Sequence, residues 1–286
     1  MASIVKKSFN SPYETVNPNK MLWEKGDFTE IAAFMRQSGE EIVKSLGITP
    51  PLRVLDLGCG DGTTAIPLAL LGAEVVGVDI AKNLVDAGNK RAVDAGLSKL
   101  TFQEGDASNL QGISDHSFDL TISIFGAMFA PKPFDVAREM VRVTKPGGRI
   151  VMGNWIPSDP TSFVSQLLTI SAAFTPPPPE GFISPMTWGV EDHIIERFGR
   201  AGVPKEKISM VGDTYSFISD NKSPTEFIEL LEKYYGPTMN AVEAAGKSGK
   251  MEKLHSQLLE LAKAQNKSID GSTSIPATFM RVTVNL

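Results

Sequence analysis

Short apolar runs alternate with segments of helical periodicity through the centre of the chain. The apolar runs lie at 53–58, 74–79, 100–106, 118–124 and 149–155. Segments of helical length separate them at 63–71, 82–95 and 133–143. Nearly continuous apolar strands that alternate with helices are typical of a parallel sheet covered on both faces. The pattern therefore predicts an α/β fold.

The segments on either side of this centre are predicted to be mainly helical. Apolar residues from Phe28 to Leu46 recur at helical intervals, and Gly47 ends the run. The proline-rich stretch 156–190 is interpreted as a lid or binding loop, because long loops inside a compact domain usually have a function. The later elements are a helix at 190–200, a strand at 207–218, helices near 224–244 and 250–265, and a closing strand at 278–286.

These patterns divide the chain into two parts. We predict an N-terminal lid segment, 1–49, and one large domain, 50–286. The domain is predicted to have mainly helical cap insertions at 156–190 and 224–270.

Charge and cysteine content narrow the possible partners. The net charge is −5, and the longest basic block is the pair Lys6–Lys7, which argues against nucleic acid and against an anionic membrane surface. The single cysteine, Cys59, excludes an internal disulfide and a multi-cysteine metal site, and no metal is predicted. Because no segment approaches the roughly 20 apolar residues of a membrane span and no signal peptide is evident, we expect a cytoplasmic protein.

The first apolar run leads directly into a glycine-rich loop. Gly58, Cys59, Gly60 and Gly62 stand between the strand and the following helix. Glycines permit a tight turn and a close approach of ligand to backbone, while the open amides of a helix start favour an anionic group. Asp56, near the end of the strand, can accept a hydrogen bond from an amino group. Cys59 is better explained as a small turn residue than as a nucleophile, since no base is evident beside it.

A dinucleotide site is the first alternative for this loop. The dinucleotide pattern G-x-G-x-x-G would need a third glycine at position 63, where this chain has Thr63. Asp79 ends the next strand, 21 residues after Gly58, and can bind both hydroxyls of a ribose, as in either class of site. Asp106 follows the third strand, where it can accept from an adenine amino group. A proline–glycine turn then leads into the strand that ends at Trp155.

With these motifs in order, residues 52–155 resemble the class I S-adenosylmethionine-dependent methyltransferases. They are most similar to the branch that contains the ubiquinone and menaquinone biosynthesis methyltransferases. The tracts FDLTISIFGAMFAPKP, PPPPEG, SPMTWG and SPTEFIELLEKYYGPT resemble a narrower bacterial group of that branch, whose substrates are mostly unassigned.

The resemblance implies a Rossmann-like sheet of seven strands in the order 3-2-1-4-5-7-6, with the last strand antiparallel. It implies S-adenosylmethionine as cofactor, with its methionine end at Asp56, Gly58 and Gly60. It places the ribose at Asp79 and Ile80, the adenine at Asp106 and Ala107, and the reaction centre at Phe125. The loop departs from the common form at Asp61, where threonine or serine is frequent.

The acceptor site is expected at the carboxyl ends of the fourth and fifth strands. Aromatic side chains can form an apolar pocket or favour the cationic sulfonium, although core packing is the favoured explanation for any single one of them. Tyr13 and Trp23 are predicted to fold over the cofactor. The candidate pocket residues are Met128, Trp155, Trp188, Tyr234 and Tyr235.

Of the three histidines, His193 is a weak candidate for a catalytic base, because it lies close to the proline-rich segment. His116 and His255 are predicted to lie at the surface.

The sequence thus predicts an enzyme that transfers a methyl group to a small-molecule acceptor by in-line displacement, mainly through positioning and desolvation. Two other classes stay open at this point. One is a non-catalytic module that binds S-adenosylmethionine, and the other is a nucleotide-dependent oxidoreductase, which Thr63 disfavours.

Overall fold

In the computed structural model, which describes residues 18–286, the apolar runs form one sheet of seven strands in the order β3-β2-β1-β4-β5-β7-β6. The strands are β1 Arg53–Leu57, β2 Glu74–Asp79, β3 Leu100–Glu104, β4 Phe118–Ile124, β5 Thr144–Trp155, β6 Ile208–Ser219 and β7 Thr273–Asn285. The first five pair in parallel, and β7 is antiparallel to both β5 and β6. The predicted Rossmann-like topology and the antiparallel last strand are confirmed.

The helices of the central part follow the predicted order. They are α4 Ala65–Leu70, α5 Lys82–Asp94 and α6 Pro133–Val143, with α8 Glu191–Arg200 after the proline-rich stretch. The proline-rich stretch itself contains α7 Phe163–Ala172 and a 3-10 helix at Pro185–Gly189. After β6 come α9 Pro224–Tyr234, α10 Gly236–Lys247 and α11 Met251–Gln265.

Three predicted elements differ in extent. The helical run from Phe28 to Leu46 forms two helices, α2 Thr29–Ala32 and α3 Arg36–Ser45, and a further helix, α1 Pro18–Glu24, precedes it. The predicted helix at 224–244 is two helices, since Tyr235 is extended and Pro237 can start a helix but not continue one. The closing strand begins at Thr273, five residues earlier than predicted, and pairs with β6 along its whole length up to Val284.

The N-terminal helices are attached to the edge of the sheet at β6. The hydroxyl of Tyr215 donates to the carbonyl of Met35 at 2.5 Å, and the backbone N–H of Ile218 donates to the carbonyl of Phe34 at 2.8 Å. At the other end of the segment, Lys20 forms an ion pair with Glu104 at the end of β3. Helix α1 is thereby placed across the carboxyl ends of the parallel strands.

The cap helices enclose the same end of the sheet. Helix α11 packs on both α7 and α9, and α10 packs on α7 and α9. Their buried faces join one apolar core with the residues of β5, β6 and β7. The division into lid, domain and insertions stays a prediction, as does the cytoplasmic location. Over residues 18–286 no helix is long and apolar enough to cross a membrane.

Candidate functional site

The glycine loop is shaped by backbone contacts with the two neighbouring strands. Gly58 and Cys59 both donate from their backbone N–H to the carbonyl of Val78, at 2.7 and 3.2 Å. Gly58 has a φ of 69°, and a Cβ built there would lie 2.6 Å from the Cα of Gly126. No other residue type fits without moving the backbone, so the loop lies directly against the segment that follows β4.

Asp79 closes the loop from the end of β2. Its Oδ2 accepts from the backbone N–H of Gly60 at 2.8 Å, and its Oδ1 accepts from that of Ala81 at 2.9 Å. Burial raises the pKa of this carboxyl group, while the backbone hydrogen bonds oppose the shift. Each carboxylate oxygen keeps a lone pair, so the group can still accept from a ligand hydroxyl.

Asp56 is buried behind the loop. Its Oδ2 accepts from the hydroxyl of Thr64 at 2.5 Å, while Oδ1 has no hydrogen-bond partner within the described part of the chain. Desolvation raises the pKa of Asp56 to about 7, and the negative charge of Asp79 adds to the rise.

Asp61, the residue that departs from the common loop pattern, joins the loop to two helices. Its Oδ2 accepts from Arg36 of α3 at 3.1 Å and lies 3.0 Å from Nη1 of Arg91 of α5. Arg91 also donates to the backbone carbonyl of Asp61 at 2.7 Å. The carboxylate is buried, whereas the Arg36 side chain is 42% exposed.

An interior cavity opens above the loop and the strand ends. Including its open mouth, it has a volume of about 1000 Å³. Ten of the predicted site residues line it, namely Trp23, Gly58, Gly60, Asp79, Ile80, Asp106, Ala107, Phe125, Trp155 and Tyr235. At the Asp106 end, Oδ1 accepts from both the N–H and the hydroxyl of Ser108, each at 2.8 Å.

Three predicted residues of the cofactor site lie behind this cavity. Asp56, Cys59 and Gly62 do not line its wall. Cys59 is buried, and burial raises the pKa of its thiol well above the ordinary value, which agrees with a structural turn residue. Tyr13 lies outside the described residues.

Three predicted pocket residues and the candidate base His193 also lie away from the cavity. Met128 is buried on the opposite side of the short 3-10 helix Ala127–Phe129. Trp188 is buried against α8, with the Arg197 guanidinium 4.5 Å from its ring centroid. The ammonium group of Lys233 lies over the ring of Tyr234. His193 is exposed on the first turn of α8, so the geometry gives it no contact with the cavity.

The histidines predicted at the surface differ from each other. His116 is exposed, with its Nδ1 at 3.1 Å from the carbonyl of Thr144. His255 is half-buried, and its Nδ1 lies 3.0 Å from Oε1 of Glu232.

Much of the aromatic lining was not predicted. The additional rings belong to Phe28, Phe129, Phe163 and Phe217. Trp23 contacts Phe28 and Phe129 edge to face, with ring centroids 5.6 and 5.0 Å apart. Alternation along β6 could have indicated that Phe217 points inward, but burial alone does not distinguish a cavity wall from a filled core.

The central part of the chain matches a known family model. Residues 55–152 match the model described as "Methyltransferase domain". An uncharacterised protein of Mycobacterium tuberculosis is 30% identical over 233 residues, which are 80% of this chain and 81% of that protein. Demethylmenaquinone methyltransferase of Paenarthrobacter aurescens is 31% identical over 172 residues, covering 56% of this chain and 66% of that enzyme.

A solved structure shares the fold. A phosphoethanolamine N-methyltransferase of Haemonchus contortus, described in complex with phosphomonomethylethanolamine and S-adenosylhomocysteine, superimposes with a TM-score of 0.60 at 16% sequence identity. The superposition covers 96% of this chain and 61% of that one.

Fold, loop and relatives agree on one class. The chain belongs to the class I S-adenosylmethionine-dependent methyltransferases, and S-adenosylmethionine is its cofactor. The oxidoreductase alternative is therefore wrong, because the loop has Thr63 where a dinucleotide site needs glycine.

Proposed function

We propose that this methyltransferase acts on a small, largely apolar acceptor bound in the interior cavity. The observation that supports this most directly is the distribution of charge along the cavity wall. Asp79 and Asp106 are the only charged side chains among the described lining residues; Asp79 ends β2 and Asp106 follows β3, both on the cofactor side. Aromatic and aliphatic side chains make up most of the remaining wall, which suits an uncharged acceptor.

The open space beside the glycine loop fits the cofactor. A Cβ built at Gly60 would meet no atom within 4 Å, so a side chain there would occupy the cavity that Gly60 leaves open. We propose that the loop amides bind the methionine carboxylate. Asp79 is then proposed to accept from the ribose hydroxyls, and Asp106 and Ala107 to contact the adenine.

The proposed chemistry rests on positioning. When bound, the cofactor supplies a methyl group on an activated sulfonium leaving group. The protein's own residues hold the acceptor in line and exclude water, which can contribute up to ~7–11 kcal/mol in well-oriented systems. Phe125 lines the cavity, and the face of its ring that is not stacked on Trp155 is proposed to favour the cationic sulfonium.

No histidine base enters this proposal. His193 is exposed, and the one lining residue with a phenol, Tyr235, has its pKa raised by burial and stays neutral near pH 7. The acceptor is therefore proposed to react as a preformed nucleophile or to lose its proton to water. The relative named for demethylmenaquinone supports a small-molecule acceptor.

Two measurements test this function. Calorimetric titration with S-adenosylmethionine, S-adenosylhomocysteine and NAD should show binding of the first two only. Turnover against a panel of neutral and charged metabolites, with S-adenosylhomocysteine formation as readout, should select neutral acceptors. Cofactor binding without turnover of any neutral compound, while a charged compound is methylated, would contradict the proposed acceptor class.

A further inference from the structure

A second, larger depression adjoins the interior cavity. Including open solvent, it has a volume of about 1870 Å³ and lies between α7, α10 and the proline-rich segment. We call it the outer groove and define it by Leu168 and Ala172 of α7, Ala244 of α10, and Phe182 and Met186 of the proline-rich segment. Asn19 and Phe129 line both the cavity and the groove.

Helix α7 is the partition between the two spaces. Phe163, Val164 and Leu167 line the interior cavity, whereas Leu168 and Ala172 line the outer groove. Helix α7 thus presents apolar side chains on both sides, which a helix covering a single core does not need to do. The half-buried ring of Phe129 stands where the two spaces meet.

The chemistry of the groove is neutral. Its wall combines aliphatic side chains and prolines with hydroxyl groups, and its charged side chains are Glu243 and Lys247 of α10. These two pair with each other at 2.8 Å, and Glu243 also pairs with Lys25 at 2.9 Å. Paired surface charges of this kind attract a charged ligand only weakly.

Large apolar side chains are left uncovered near the groove. Phe182, on its wall, is 55% exposed, and its neighbour Ile183 is 42% exposed. Met21 of α1, next to the lining residue Leu22, is 57% exposed. Phe182 therefore gives the groove an exposed apolar side chain that a bound chain can cover.

We propose that the outer groove binds the distal, uncharged chain of the methyl acceptor, while its reacting end occupies the interior cavity. This rests on the proposed function, because it needs the interior cavity to be the acceptor site. The acceptor is then an elongated molecule with one end at the strand termini and an apolar tail that passes Phe129. The two spaces are adjacent, since Asn19 and Phe129 line both, and this adjacency favours one elongated occupant over a separate partner.

A series of 4-alkylphenols from ethyl to dodecyl, titrated into the protein with and without S-adenosylhomocysteine, tests the proposal. Intrinsic fluorescence serves as readout, since Trp23 and Trp155 line the cavity. Each methylene that the groove buries should tighten binding by roughly fourfold, the value for a buried CH₂. Tightening should therefore continue beyond the short members that the interior cavity can hold.

Neighbouring alanines at the end of α7 provide matched variants. Ala172→Phe narrows the groove. It should weaken binding of the dodecyl member by about tenfold or more, because two or more methylenes are no longer buried, and it should leave binding of the ethyl member unchanged. Ala173→Phe, equally exposed but outside the groove lining, should change neither. Ala244→Phe on the opposite wall provides a second narrowing variant if Ala172→Phe does not fold.

Several outcomes would overturn the groove proposal. They are an affinity that stops rising with chain length at the short members, an equal effect of Ala172→Phe on short and long members, and tighter binding of a charged chain of equal length. Sedimentation showing a dimer that Ala172→Phe dissociates would assign the groove to a second copy of the chain. If the protein does not bind S-adenosylhomocysteine but the chain-length effect is preserved, the proposed function is contradicted. The groove would in that case still be shown to bind an apolar chain.

Discussion

The ring of Phe125 lies parallel to the indole of Trp155, with centroids 3.6 Å apart and planes inclined by 5°. Phe125 follows β4 and Trp155 is the last residue of the adjacent strand β5, and the backbone N–H of Phe125 donates to the carbonyl of Gly153 at 2.9 Å. Phe125 adopts a φ of 60°, which is uncommon for a residue with a side chain. This backbone turn brings the ring over Trp155 and leaves Gly126 against Gly58 of the glycine loop.

The stack is expected to stabilise the fold as well as to shape the cavity. Trp155→Ala should lower the free energy of unfolding by roughly 3–5 kcal/mol, the range for buried aromatic truncations. Trp155→Phe retains a ring that can stack and should cost less than about half of that, because the aromatic pair and most of the burial remain. Urea unfolding followed by circular dichroism measures both. Equal losses in the two variants would show that the stack does not contribute.

Asp79 is expected to determine cofactor affinity. Asp79→Ala should weaken S-adenosylmethionine binding by roughly 1.5–3 kcal/mol, the range for hydrogen bonds to a charged group. Calorimetry measures the dissociation constant directly. Glu74→Ala, at the exposed outer end of the same strand, is the matched control and should leave it unchanged. An unaltered dissociation constant in a folded Asp79→Ala protein would remove Asp79 from the site.

Asp79→Asn distinguishes ligand binding from loop support. The carboxylate also accepts from the N–H groups of Gly60 and Ala81, and an asparagine oxygen can replace only one of these acceptors. If loop support dominates, Asp79→Asn should lower thermal stability without ligand nearly as much as Asp79→Ala does. If ligand contacts dominate, the two variants should differ from the native protein mainly in cofactor affinity.

The sheet and the cofactor end of the cavity were predictable because their signals are local. The apolar runs and the glycine spacing each occupy a few neighbouring residues, and the order of strands follows from the family. The early start of β7 was missed because Thr273 and Ser274 are polar and Pro276 is uncommon inside a strand, although the buried residues Ile275, Ala277 and Phe279 keep the alternation. Strand β7 pairs with β5 only from Phe279 onward. Pro276 comes before that point, in the part of β7 that pairs with β6 alone, and a proline is therefore tolerated there.

The acceptor end of the cavity was less predictable, because which side chains line it depends on the direction in which each one points within a single helical turn. Met128 and Phe129 are adjacent in sequence, yet only Phe129 lines the cavity. Trp188 is buried against α8 rather than exposed to the cavity, and its sequence context does not reveal this. The ion pair of Asp61 with Arg36 joins residues 25 positions apart, so no local pattern could indicate it.

The Asp61 ion pairs are expected to couple the N-terminal helices to the loop. Asp61→Asn leaves Arg36 and Arg91 facing each other without a countercharge and should cost about 1–3 kcal/mol of folding free energy. The measurement is urea unfolding at low and at high salt. Asp86→Asn breaks the exposed pair with Lys82 and should have little or no effect, as is usual for surface pairs. If both variants behave alike, the buried carboxylate has no special role.

The buried carboxyl group of Asp56 gives the ligand-free protein a defined dependence on pH. Its pKa is about 7 in the folded protein against an ordinary value of 3.8, so the folded state binds the proton more tightly than the unfolded state. Its contribution to stability is therefore fully present below about pH 4 and is lost as pH rises through about 7. Asp56→Asn stays neutral and lacks this slope. Relative to Asp56→Asn, the native protein should be less stable at pH 8 than at pH 5, as measured by urea unfolding at both values.

Thr64→Val sharpens this test. The hydroxyl of Thr64 donates to the carboxylate and lowers the pKa of Asp56, so its removal should move the loss of stability to higher pH. Shifts in groups distant from Asp56 occur in all three proteins and largely cancel in the differences. A difference between the native protein and Asp56→Asn that is the same at pH 5 and pH 8 would show that Asp56 is ionised throughout. In that case Thr64→Val would alter the free energy of unfolding equally at both pH values.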